Sequence, residues 1–221
     1  MSYTSIMNES LLQIILGIAL LTVVFINISK KNSETIIAYG IQSLAIVFIL
    51  LNLYLETKEV GILIIVILVL LIKVVASILF FNKLIHRHEL RFTIRTYCNV
   101  PLTFTIVAFL ILLAYSSKFI VLTSLIPANQ SLISASLAFL FISLFLIVNS
   151  KGALSQIFGV LSLDNSIVAL AVFTGLEQSL SVQVGILFDL FVWMTIAVIF
   201  VSMIYRHLGS LDVTSMKNLT E

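Results

Sequence analysis

The sequence predicts an all-α integral membrane protein of about seven transmembrane helices, with its N-terminus outside and its C-terminus cytoplasmic. Three observations predict it. Of 221 residues, 61% are hydrophobic and only 10% charged, with a mean hydropathy of +1.21. A soluble domain carries roughly a quarter charged residues, so this chain cannot cover itself with a hydrated surface. Uncharged apolar runs long enough for a ~30 Å hydrocarbon core, roughly 20 residues each, recur along the chain. The basic residues gather at alternate ends of those runs, as a membrane orientation requires.

The first run, Leu11–Ile28, has Glu9 before it and Lys30-Lys31 after it. It lacks a small-residue cleavage pattern and therefore reads as an anchor rather than a secretory signal. The second and third runs are Thr35–Leu55 and Gly61–Leu84. The stretch Gly61-Ile-Leu-Ile-Ile-Val-Ile-Leu-Val-Leu-Leu-Ile72 is apolar on every side, unlike the alternating segments of a membrane β-barrel. In lipid its backbone must be satisfied within the segment, which means a helix. Pro101 opens the fourth run, Pro101–Leu122, where its missing N–H is tolerated. Pro127 falls in the connection to the fifth run, Leu132–Val148. The sixth is Ala153–Gly175 and the seventh about Val182–Tyr205, so residues 1–221 form a single membrane domain.

Seven crossings place Lys30, Lys31, Lys83, Arg87, Arg91, Arg95, Lys151, Arg206 and Lys217 inside, nine of the 12 Lys and Arg residues. Lys58 and Lys118 fall outside, and Lys73 lies within the membrane. Adding or removing one helix breaks this bias. The expected location is the cell (plasma) membrane, as a multi-pass protein.

Seven crossings use ~140 residues, which leaves no room for a Rossmann or P-loop domain, a nucleic-acid-binding module or a catalytic ectodomain. A net charge of +2 gives no bulk attraction to nucleic acid. Cys98 is the only cysteine, so one chain supplies neither a structural disulfide nor a cysteine-ligated cluster. His86-Arg-His88-Glu89 resembles a metal site superficially, yet Phe92 stands where an H-E-x-x-H helix needs its second histidine. No G-x-S-x-G nucleophile elbow is present. His86, His88 and His207 sit at inner membrane boundaries and are read as interfacial. The expectation is a chain with no catalytic residues, no metal and no cofactor of its own.

Three ionisable side chains fall well inside runs: Lys73 in the third, Asp164 in the sixth and Asp189 in the seventh. Each costs about 2.5–3.5 kcal/mol at the centre of a membrane helix, and intramembrane charge is by default functional. Lys73 and Asp164 lie halfway along their runs, too deep to reach an interface easily. Low dielectric disfavours the charged form of each group, so proton exchange within such a cluster is chemically available. The structural alternative is a lysine–aspartate pair that fixes helix register without transport. Leu163-Asp-Asn-Ser166 also admits a break between two half-helices capped by Asp164. Gly159 and Gly175 nearby suit close packing or flexibility. Gln42 and Gln183, with Ser43, Asn52, Ser77, Ser143 and Asn149, either extend a polar path or simply bond a neighbouring helix. Arg87, Arg91 and Arg95 recur every four residues and would share one helical face. That face would contact either lipid headgroups or a cytoplasmic partner.

Several stretches resemble a known family. Tyr39-Gly-Ile-Gln42-Ser43-Leu44, Lys73-Val-Val and Val184-Gly-Ile-Leu-Phe-Asp189-Leu-Phe-Val are similar to the E component of hydrogenase-4. So is Phe145-Leu-Ile-Val-Asn-Ser-Lys151-Gly-Ala-Leu-Ser-Gln156-Ile-Phe-Gly159-Val-Leu-Ser-Leu-Asp164-Asn165. That component is a membrane subunit of group 4 hydrogenase and formate hydrogenlyase complexes. Its last three spans resemble the small K-type subunit of complex I and the C-type subunit of multisubunit sodium/proton antiporters. The K-type G-L-E-x-x-x-N pattern carries an intramembrane glutamate where this chain has Leu161, with Asp164 three residues later. Asp189 matches the second intramembrane carboxylate, and Gln183 replaces a glutamate common in the family.

The resemblance implies a noncatalytic membrane-arm subunit of a hydrogenase-4-like or complex I-like assembly that couples redox chemistry to proton or sodium translocation. Lys73, Asp164 and Asp189 would carry charge laterally. Partners would be antiporter-like and quinone- or hydrogenase-proximal membrane subunits, which carry any Fe-S clusters or Ni-Fe site, together with membrane lipids. The alternatives are a structural scaffold of such a complex and a standalone small transporter. The latter is disfavoured because no inverted repeat is evident.

Overall fold

A computed structural model describes residues 9–79, 81, 96–116, 119 and 129–175. Among these the chain is all-helical. The helices are α1 (Glu9–Ile28), α2 (Asn32–Thr57), α3 (Val60–Leu79, with a π-helical stretch at Leu70–Ala76), α4 (Val100–Ala114), α5 (Gln130–Asn149) and α6 (Ala153–Phe173). All but α4 are long and apolar enough to cross a membrane. Within the fourth apolar run, Val100–Ala114 forms a 15-residue helix with Pro101 in its first turn, and residues 117–118 and 120–128 lie outside the described ones. The seventh expected helix, 182–205, and both chain termini lie outside the described residues.

Two- and three-residue turns join the first three helices into an up-and-down arrangement. Lys58, in the left-handed conformation at φ 58°, ends α2 by donating its N–H to the Tyr54 carbonyl. Gly175, at φ 62°, follows α6, where a left-handed residue commonly terminates a helix. The α2 helix is the hub of the bundle, packing against α1, α3 and α6, while α5 packs against α1, α4 and α6.

Side-chain contacts set the helix directions. The rings of Tyr39 and Phe158 lie 5.7 Å apart, and Ser43 meets Asn165 at 3.2 Å, so α2 and α6 run parallel. Phe81 meets Phe158 at 4.6 Å and Lys73 meets Asn165 at 2.9 Å, so α3 runs against α6. The beginnings of α2 and α6 therefore share one end of the bundle with Lys30, Lys31 and Lys151. The segment entering α4 joins them there: Thr96 bridges Ser150, and the Tyr97 and Cys98 N–H groups donate to the Asn149 carbonyl and Oδ1, both at 2.9 Å. Lys151 caps this junction with its ammonium 4.8 Å from the centre of the Tyr97 ring.

The polarity is inverted relative to a water-soluble bundle. Leu11, Ile14, Ile18, Leu21 and Phe25 form an exposed stripe on α1, while Ser43, Ser136, Ser143 and Ser162 are buried. Because α1 also buries Leu12, Leu16, Ala19, Val23 and Ile26, both faces are apolar. Lipid is as apolar as leucine, so packing rather than hydrophobicity selects the inner face. Gly159 shows how close that packing is: an added Cβ would lie 2.7 Å from the Ile147 Cγ1 and 3.0 Å from the Ile147 backbone nitrogen.

Candidate functional site

Helices α2, α3 and α6 bring together the polar residues that the apolar pattern isolates. Lys73, only 1% exposed, projects from α3 and donates from Nζ to Asp164 Oδ2 and to Asn165 Oδ1 at 2.9 Å. Asn165 in turn donates from Nδ2 to Ser43 Oγ on α2. One step away, Ser162 Oγ donates to Gln42 Oε1 at 3.0 Å. Asp164 lies eleven residues into α6, about 16 Å along the axis, and Gln42 about 15 Å along α2 at 1.5 Å per residue. Half of a ~30 Å hydrocarbon core is the same depth, so the cluster sits at the middle of the bundle.

Local backbone geometry aims the lysine. Val69, Lys73 and Ser77 follow one another at four-residue spacing, and in an α-helix four residues turn about 40° past a full circle. The π-helical stretch Leu70–Ala76 widens the turn and reverses that drift, and Val69, Lys73 and Ser77 are all buried. Ser77 supports it, directing both its N–H and its Oγ to the Ile72 carbonyl. Such widened turns often occur at functional positions. Neither the π turn nor the roles of Ser162, Asn165 and Tyr39 can be read from residue order, because each depends on which helices meet. In contrast to the break admitted by the sequence at Leu163-Asp-Asn-Ser166, α6 is continuous from Ala153 to Phe173. Asp164 is satisfied from another helix instead of capping its own.

Burial is uneven across the pair. Asp164 retains 19% side-chain exposure against 1% for Lys73, so the carboxylate is the member a neighbour can reach. Toward the Lys30 end, Tyr39, Phe81 and Phe158 are all fully buried and form an aromatic layer roughly 9 Å from the pair, six residues along α6. This layer keeps the dielectric low around the charges, which strengthens their attraction while raising the penalty for separating them.

Two buried donors extend the polar face of α2. Tyr39 Oη, close to Ser43, Ser77 and Asp164, and Gln42 Nε2 make no hydrogen bond among the described residues. A buried unsatisfied donor costs about 1–3 kcal/mol. Tyr39→Phe is therefore expected to leave the thermal unfolding midpoint unchanged or raise it, and a clear fall would show that the hydroxyl is bonded in the folded protein.

Asp189, Gln183, Arg87, Arg91 and Arg95 lie outside the described residues; of the residues singled out in the sequence, the structure brings together Lys73, Asp164, Gln42 and Ser43. Among the described residues no group of three His, Cys, Asp or Glu side chains is placed to hold a metal ion. No protein-family model, curated protein or solved structure matches the chain.

Proposed function

With no relative to supply an activity, we propose from the site and from the residue stretches quoted above that this chain is a noncatalytic membrane-arm subunit of an ion-translocating redox complex of the hydrogenase-4 or complex I type. In this reading it crosses the plasma membrane seven times with its N-terminus outside, and it contacts antiporter-like and quinone- or hydrogenase-proximal subunits. Fe-S or Ni-Fe centres belong to those partners. The observation that carries the reading is the Lys73–Asp164 pair, held at mid-depth by Asn165 and a widened turn of α3. A lysine and a carboxylate in contact have two arrangements of low charge separation: ion pair, or neutral amine with neutral acid. Switching between them relocates a proton by one hydrogen bond. When Asp164 gains or loses a proton from its more accessible side, the field at the next intramembrane charge changes, and low dielectric carries that change laterally. Asp189 is the proposed next station within this chain, with Gln42 and Gln183 along the polar path and Arg87, Arg91 and Arg95 at the cytoplasmic face.

Asp164→Asn tests this directly, because asparagine preserves the shape and one acceptor oxygen for Lys73 but removes the titrating group. In the assembled complex, ion movement is expected to fall at least tenfold, about 1.4 kcal/mol in barrier, with complex yield maintained. Unchanged ion movement per redox turnover would sink the relay. Loss of yield with coupling intact would favour the scaffold reading, for which the specific support is that the same pair joins α3 to α6.

A further inference from the structure

An apolar groove of about 560 Å³ lies between α1 and α2, lined by Ile18, Leu21 and Phe25 on one side and Ile37 and Ile41 on the other, with Ala38 as its floor. We propose that this groove is a binding site for one acyl chain of an anionic phospholipid whose headgroup rests on Lys30 and Lys31.

Depth is the first argument. The groove runs from the α1–α2 connection down to Ile18 on α1, ten residues from Ile28 or about 15 Å. That is one leaflet of a ~30 Å hydrocarbon core. An acyl chain ends at this depth, whereas a partner helix packs along the whole crossing. The lining is the second. Helix–helix contacts in membranes favour small residues that let backbones approach, and this groove presents Ile, Leu and Phe side chains splayed apart, with only Ala38 and Thr22 small.

Charge at the mouth is the third. Glu34 lines the groove, but its carboxylate is held by Lys31 Nζ at 3.0 Å and by Ser29 Oγ at 3.2 Å, so it does not repel an anion freely. Lys31 keeps 76% of its side chain exposed. Lys30 is exposed and makes no ion pair among the described residues. A phosphate at this level meets two ammonium groups with one nearby carboxylate already engaged. Juxtamembrane lysines attract anionic headgroups in just this way.

The test uses the purified full chain reconstituted in vesicles of equal phosphatidylcholine and phosphatidylglycerol, then extracted gently for native mass spectrometry. One phosphatidylglycerol per chain is expected to remain bound. Lys30→Gln, an exposed change that leaves the fold intact, is expected to lower the preference for phosphatidylglycerol over phosphatidylcholine about fivefold. Thr22→Trp fills the groove and is expected to abolish retention of either lipid, with helix content by circular dichroism showing that the variant folds. If Thr22→Trp does not fold, Ala38→Leu serves as the milder filling variant. Equal retention of both lipids by the parent chain, or undiminished retention in a folded filling variant, overturns the proposal. So does the absence of any lipid retained by the parent chain, which leaves the groove to a partner helix.

Discussion

Lys73→Met is expected to lower the unfolding free energy by about 3–5 kcal/mol, the usual consequence of removing one partner of a buried ion pair. Methionine matches the lysine stem in length and flexibility, so packing on α3 changes little and the loss is electrostatic. Asp164 is left in the bundle interior without its cation, and Asn165 Oδ1 loses its donor. The double variant Lys73→Met/Asp164→Leu is expected to recover most of the loss, because replacing both charges by apolar groups of similar size is often neutral or stabilising. Asn165 still lacks a donor in that background, so a deficit of about 1–3 kcal/mol remains. Thermal unfolding in mild detergent, with both variants and the parent in parallel, checks these values. If Lys73→Met unfolds at the parent temperature, the pair contributes nothing to holding α3 on α6. A double variant that regains stability but not ion movement would separate the pair's structural contribution from charge transfer.

Gly159→Val is expected to cost about 3 kcal/mol, the upper part of the range for overpacking a close contact. The added Cβ meets Ile147 at three atoms, two of them backbone at 3.0 and 3.1 Å. Backbone cannot rotate away, so α5 and α6 must separate. Gly40 is the instructive control. A Cβ there meets Ile78 at its Cδ1, 2.6 Å away, the free end of a side chain that has another rotamer to adopt. Gly40→Ala is expected to be nearly neutral, since helix propensity favours alanine by about 1 kcal/mol. Unfolding midpoints measured in one detergent check the contrast, and equal effects at the two glycines would contradict the close backbone approach at Ile147.

How much of this could be read from residue order follows the same physics. Long apolar runs announce helices because nothing else satisfies a backbone in lipid, and the fifth run, Leu132–Val148, differs from α5 by only a few residues at its ends. Lys73 and Asp164 stand out in sequence for the reason that makes them costly, each being alone in an apolar stretch. Their meeting was not legible. Identifying Asp164 as a partner of Lys73 needs the packing of α3 on α6, and the identical apolarity of both faces of α1 hides which side turns inward. The continuity of α6 through Asp164-Asn165 was equally hidden, because a capping aspartate and an interhelical one share the same local sequence.

The Lys73–Asp164 contact joins residues 91 positions apart, and biosynthesis must therefore manage a lysine without a partner. At about 5–20 residues per second, translation delivers the aspartate on the order of five to twenty seconds after the lysine. During that interval α3 has to enter the bilayer on its own account. It is the most apolar of the five long helices, and each Ile, Leu or Val near the centre of such a segment favours insertion by about 0.3–0.6 kcal/mol. The run of such residues from Ile62 to Ile72 is enough to outweigh the about 2.5–3.5 kcal/mol penalty of one lysine. The extreme hydrophobicity of α3 thus serves the nascent chain more than the finished one, carrying an orphan cation into lipid until its counter-ion is made.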